Sequence, residues 1–183
     1  MSTLALLLHE PAARRVRDWW DLLEARLGLR GVRKVPFPHV TLLGCEGIDH
    51  PRIQEVLDEL CFRTPPLELR SIGMGLFTRP MSVLYAPIIR NQALSALHRE
   101  LWHAIEGLGG NLFKLYSPEL WIPHMTLAQF DLTPENQIEA LRVLLEVDLE
   151  LVFEIRNLTL FDWIGPNYEP RERYQLRGQQ VRA

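Results

Sequence analysis

Five residues occur twice in this chain with one change. Pro38-His39-Val40-Thr41-Leu42 returns as Pro123-His124-Met125-Thr126-Leu127. In each copy, polar and apolar side chains alternate behind a proline. Side chains two apart on a strand share a face. His39 therefore joins Thr41 and His124 joins Thr126, while Val40, Leu42, Met125 and Leu127 turn towards a core and Leu43 falls on the polar side. The proline favours an extended entry and fits the first residue of a strand. A five-residue match constrains little unless its surroundings repeat as well.

They do repeat. Leu4–Leu8 reads as a buried strand, and Pro11 opens a helix with apolar residues at Val16, Trp19, Leu23 and Leu27, closed at Gly28 or Gly31. The first H-x-T strand follows. Pro51 then starts a helix facing inward through Ile53, Val56, Leu57 and Leu60, and "PPLELRSIGMGLF" reads as a strand with a glycine bend. The order then restarts. Val83–Ile89 is a strand, and Leu94, Leu97, Leu101, Ile105 and Leu108 stripe a helix that ends near Gly109. His124–Phe130 is the second H-x-T strand. Thr133 and Pro134 open a helix facing inward through Ile138, Leu141 and Leu145. Val152–Phe161 is a strand, with an edge strand expected at Arg173–Arg177. "ELRSI" at Glu68–Ile72 echoes "EIRNL" at Glu154–Leu158. Residues 1–183 are thus expected to form one bilobal domain, with duplicated lobes at about 1–80 and 81–183 packed around a shared cleft.

Composition narrows the functional classes. Over 183 residues the net charge is −3, which argues against a general nucleic-acid coat but leaves room for a nucleotide or an RNA end. Cys45 and Cys61 have neither disulfide-scaffold nor zinc-thiolate spacing, which fits a reducing cytoplasm. The apolar start lacks a basic leader region, and no run reaches the roughly 20 apolar residues of a membrane span. No phosphate loop, dinucleotide glycine motif or H-E-x-x-H is present, so neither a cofactor nor a metal is expected.

The duplicated couples carry chemistry. Two imidazoles that titrate near neutrality can divide acid and base roles, one taking a proton from an attacking hydroxyl or water and the other giving one to a leaving oxygen. Two threonine hydroxyls can donate to the non-bridging oxygens of a phosphate held between them. In-line displacement at phosphorus needs acid and base on opposite flanks, and a pseudo-twofold arrangement supplies that. Two rivals use the same residues. One is a binding module that holds a phosphate or nucleotide without turnover; the other is a metal hydrolase, for which an acidic third ligand is not evident.

The paired H-x-T motifs, their separation and the duplicated order of elements resemble the 2H phosphoesterase superfamily. The nearest branch resembles the 2′-5′ RNA ligase-like proteins, or RNA 2′,3′-cyclic phosphodiesterases. The resemblance implies an α+β fold of two antiparallel sheets flanked by helices around a central cleft. It implies metal-independent opening of a 2′,3′-cyclic (or 2′-5′) phosphodiester to a 2′-phosphate in RNA processing, with weak reverse ligation. His39 and His124 match the catalytic histidines and Thr41 and Thr126 the phosphate-binding threonines; which histidine is acid and which base is left open. Branch members often carry a basic residue after the second motif, where this chain has Ala128, Gln129 and Phe130.

Lys114, Tyr116 and Trp121 precede the second motif and are candidates for the cleft mouth, with an aromatic ring stacking on a base. Tyr85 reads as core or cleft wall, and the segment holding Tyr168, Arg171 and Arg173 as a solvated turn. A nucleotide or RNA terminus is the expected partner, with no membrane, no protein partner and a monomeric state.

Overall fold

A computed structural model of the chain describes residues 1–164 and 167–179, and only the backbone at 163, 164, 167 and 168. Strand β1 (Ser2–Leu7) is buried along its whole length, as a central strand requires. Helix α1 (Ala12–Leu27) buries Val16, Trp19, Trp20 and Leu23, and Gly28 ends it in the left-handed region at φ 72°. Strand β2 (His39–Glu46) and helix α2 (His50–Arg63), with its proline in the first turn, complete the opening run. The stretch expected as one strand divides into β3 (Leu67–Ser71) and β4 (Gly75–Phe77) at Gly73, whose φ is 72°.

In the second run, β5 (Val83–Pro87) is followed by α3 (Gln92–Glu106), which Asn91 caps by accepting from the backbone N–H of Leu94. A two-residue strand, β6 (Asn111–Leu112), has no counterpart in the periodicity reading. Then come β7 (His124–Ala128), α4 (Gln137–Leu144), β8 (Leu151–Ile155), β9 (Asn157–Ile164) and β10 (Asn167–Gln175). Helix α4 starts later than Pro134 implies. It buries Ala140, Val143 and Leu144, while Ile138 and Leu145, expected inside, are exposed.

The architecture is α+β, and all strand pairs are antiparallel among the described residues. One sheet has the order β10-β9-β1-β2-β6. The other side is built from β4-β5-β7 and from β3-β8, joined by a bridge between Ser71 and Ile88. The sheets do not follow the sequence boundary near residue 80. Strand β4 of the first half pairs with β5 of the second, and β9 of the second half pairs with β1 of the first. The two halves exchange their closing strands. At the seam, β3 pairs with β8 so that Glu68 faces Glu154, Leu67 faces Ile155 and Leu69 faces Phe153. That register places the pseudo-twofold axis of the repeated segments through the glutamate pair. Like charges directly opposite are unfavourable; Arg156 pairs with Glu154, and Arg70 bridges to Glu150.

A matching bulge sits behind each H-x-T. Leu4 opposes Leu43 but Ala5 opposes Thr41, and Leu84 opposes Ala128 but Tyr85 opposes Thr126. The extra residue is Leu42 in β2 and Leu127 in β7. This breaks strict alternation, so Leu43 is buried beside Leu42 rather than on the polar face. Both prolines extend the ladders, their carbonyls accepting from the N–H groups of Leu8 and Ile88.

One continuous apolar cluster runs between the sheets and helices. The exchanged strand β9 is fixed in it by a polar device. Asn157, fully buried, accepts from the Leu7 N–H at 3.1 Å and from the Thr159 hydroxyl, and donates to the Leu7 carbonyl at 2.8 Å. Cys45 and Cys61 are buried free thiols, pushed up by burial to about 11 and about 12. No helix among the described residues is long and apolar enough to cross a membrane. Leaving a buried backbone group unpaired costs about 1–3 kcal/mol. Asn157→Ala is therefore expected to lower unfolding stability by roughly 2–4 kcal/mol, read from urea denaturation; an unchanged midpoint would show that the exchanged strand is held by its ladder alone.

Candidate active site

Both H-x-T segments open into one cleft of about 510 Å³, whose lining includes His39, Thr41, His124 and Thr126. The four side chains are half-buried, while the residues between and after them lie in the core. The rule that places them together is local. The alternation turns imidazole and hydroxyl to one face, and the bulge that follows re-aims the strand once the pair has been presented.

Each ring is locked in the same way. His39 Nδ1 lies 2.7 Å from the carbonyl of Phe37, and His124 Nδ1 lies 2.7 Å from the carbonyl of Ile122. A carbonyl only accepts, so Nδ1 carries the hydrogen in both rings and Nε2 is the atom left to titrate. Burial pushes both imidazoles below the ordinary value, and the hydrogen bonds to those carbonyls oppose the shift. The charge on His39 lowers His124 further, so a proton on one ring disfavours a proton on the other.

The strand exchange supplies the walls behind the rings. Phe161 on β9 packs against His39 with ring centres 6.1 Å apart, and Phe77 on β4 meets His124 edge-on at 5.1 Å. Each phenylalanine thus supports the histidine of the opposite half. Tyr85 is buried against Phe77 at 4.2 Å and His124 at 5.0 Å, and burial raises its hydroxyl.

Two indoles cross in the same sense. Trp20 donates through Nε1 to the backbone carbonyl of Thr126, and Trp121 donates to that of Thr41, both at 2.9 Å. Trp121 is among the cleft-lining residues, and what the structure corrects is its expected stacking role. Its side chain is 2% exposed and its ring lies flat on His98, 3.8 Å away, so it cannot offer a face to a base. His98 is itself fully buried and donates from Nε2 to the carbonyl of Leu42. Tyr116 is partly buried and lines the cleft; Lys114 is exposed and is not among the lining residues.

Trp20, Phe77, Phe161 and His98 escaped the sequence reading as site residues. Phe77 stands 38 residues after His39 and Phe161 37 after His124, a repeat offset that held a signal for those two. Arg79 and Phe130 also line the cleft, and the Tyr168 side chain lies outside the described residues. Among the described residues, no group of three or more His, Cys, Asp or Glu side chains could hold a metal ion.

A family model described as the 2′-5′ RNA ligase superfamily matches residues 8–167. Similar folds occur in solved structures. A Thermus thermophilus protein, TT0787, is 17% identical, with 98% of this chain and 99% of that chain covered at a TM-score of 0.65. E. coli LigT complexed with NADP+ is 16% identical, with 96% of each chain covered and a TM-score of 0.60. E. coli LigT complexed with 3′-AMP is 18% identical, with 96% and 97% covered and a TM-score of 0.60. No curated protein sequence matches the chain.

Two pH dependences follow. Burial lowers His98 to about 4 against an ordinary value of 6.5. The unfolded chain therefore binds the extra proton first, and stability from this group, full above 6.5, is lost as pH falls towards 4. The loss comes to roughly 3 kcal/mol. The stability gap between wild type and His98→Phe, measured by urea midpoints, should shrink across that window. Both cleft imidazoles are pushed below 6.5, so a reaction that used them as acid and base should show a bell-shaped kcat/KM profile peaking below that pH. A peak above it would show that the rings are not the titrating pair.

Proposed function

We propose that this chain, which belongs to the 2′-5′ RNA ligase superfamily of 2H phosphoesterases, opens a 2′,3′-cyclic or 2′-5′ phosphodiester by general acid–base catalysis without a metal. The observation that carries the reading is the matched lock: each cleft imidazole is pinned through Nδ1 by the carbonyl two residues before it, with a threonine two residues after it.

The steps follow from that geometry. The neutral Nε2 of one histidine takes a proton from water as its oxygen attacks phosphorus. The P–O bond to the 3′ oxygen breaks opposite the new bond, and its electron pair stays on that oxygen. The second histidine, protonated, gives its proton there, leaving a 3′ hydroxyl and a 2′-phosphate. Thr41 and Thr126 donate to the non-bridging oxygens, where charge gathers. The repulsion between the two rings favours the singly protonated pair that this chemistry uses. Substrate orientation decides which ring acts as acid, and the same steps with a 5′ hydroxyl in place of water join it to the cyclic phosphate as a 2′-5′ linkage, the 3′ oxygen leaving as a hydroxyl. The sequence halves 1–80 and 81–183, read as a duplication, account for the two like couples.

Each ring used this way contributes about 10²–10⁴-fold. His39→Ala and His124→Ala should each lower kcat on a 2′,3′-cyclic nucleotide by that factor, and chelator should leave the wild-type rate unchanged. Tight binding of the nucleotide without turnover by wild type would make the protein a binding module. Loss on chelation with recovery on adding a divalent ion would make it a metal hydrolase.

A further inference from the structure

The rim of the cleft has a composition that the couples do not explain. Of the exposed large apolar side chains among the described residues, Met81, Leu115, Leu120, Ile122 and Phe130 all line this cleft, with exposures of 41–68%. They come from three separate segments: the connection after β4, the approach to β7, and the residues just past β7. The segments are tied together, since Gln129 Nε2 reaches Met81 Sδ at 3.3 Å. Phe130 holds a left-handed φ of 72°, uncommon for a bulky residue, while presenting its ring at the rim. An apolar patch of this kind on a soluble protein marks a contact surface.

Charge at the same rim is sparse. Apart from the histidines, Arg79 is the one ionisable cation among the described residues that line the cleft, and no carboxylate lines it. Of the neighbouring cations, Arg33 pairs with Asp21 and Glu24 and Arg90 donates to the carbonyls of Trp121 and Pro118, while Lys34 stands beside the rim, 4.9 Å over the Phe130 ring. A nucleic-acid strand needs a cationic groove that tracks its phosphates, with aromatic platforms between. Here Trp121 is 2% exposed and one face of its ring is covered by His98. The volume of about 510 Å³ is that of a small-molecule site.

We infer that the substrate is a compact phosphodiester with a single phosphate and an apolar or aromatic ester group that lies on the Leu115–Leu120–Ile122–Phe130 rim, rather than the end of an RNA chain. The inference rests on the phosphoesterase reading above. Arg79 supplies one positive charge for the single negative charge of such a diester, and the rim covers its uncharged part. A mononucleoside cyclic phosphate and a non-nucleotide aryl diester share this chemistry.

The test compares kcat/KM for a 2′,3′-cyclic mononucleotide, a short RNA ending in the same cyclic nucleotide, and bis(p-nitrophenyl) phosphate, at low and physiological salt. The mononucleotide or the aryl diester should be used at least as well as the RNA. The log–log salt slope should stay near the value for one phosphate, about −0.7. Leu120→Ser and Phe130→Ala should raise KM several-fold with kcat held, because both side chains touch only the uncharged part. Use of the aryl diester would assign the rim to an apolar group alone; use of the mononucleotide only would assign it to a nucleoside. RNA favoured by about 10-fold or more, with a slope that steepens with chain length, would overturn the inference and leave the phosphoesterase reading intact. No turnover of any of the three by wild type would overturn that reading instead.

Discussion

Everything at the cleft depends on backbone pairing between strands that are distant in sequence. β1 can sit between β2 and β9, and β5 between β4 and β7, only because each half gives up its closing strand. Ladder hydrogen bonds are strongly directional, so the exchange fixes the two H-x-T strands relative to each other. The seam between β3 and β8 adds a self-matching register around Glu68 and Glu154. Paired leucine, isoleucine and phenylalanine side chains offset the glutamate repulsion there.

Upon that frame, small repeated devices tune the chemistry. A proline before each histidine places a carbonyl where Nδ1 can reach it, a bulge after each threonine turns the residue past the next leucine, Leu43 or Ala128, inward, and an indole from elsewhere grips the threonine carbonyl. None of these costs much alone. Together they fix the backbone on both sides of each histidine–threonine couple, which is the condition under which fixed donors are worth most. The lowered proton affinity of the rings follows from the same packing, since the walls that hold them also exclude water.

What the sequence made legible was whatever the chain writes locally. His39 with Thr41, and His124 with Thr126, follow from a period of two; α1, α2 and α3 follow from apolar stripes, the prolines at 11 and 51 and the closing glycines. The exchange of β4 and β9 was not readable, because each strand has the same alternation whichever neighbour it pairs with. Leu43 was misplaced because a bulge depends on the partner strand's register. Trp121 was misread for a related reason. An aromatic beside the motif fits a stacking platform as well as a buried prop, and only the arrival of His98 from α3 decides between them. The start of α4 failed at a boundary where Thr133 and Pro134 mimic a cap.

The interlocked topology also determines what a split gene would produce. A fragment ending near residue 80 would carry His39 without Phe161 behind it, and its β1 and β4 would face solvent with unsatisfied edges. The complementary fragment would own His124 but not Phe77. Neither would hold a histidine–threonine couple with its aromatic wall in place. Competence belongs to the woven whole, and loosening one crossover slackens the support of the histidine on the far side.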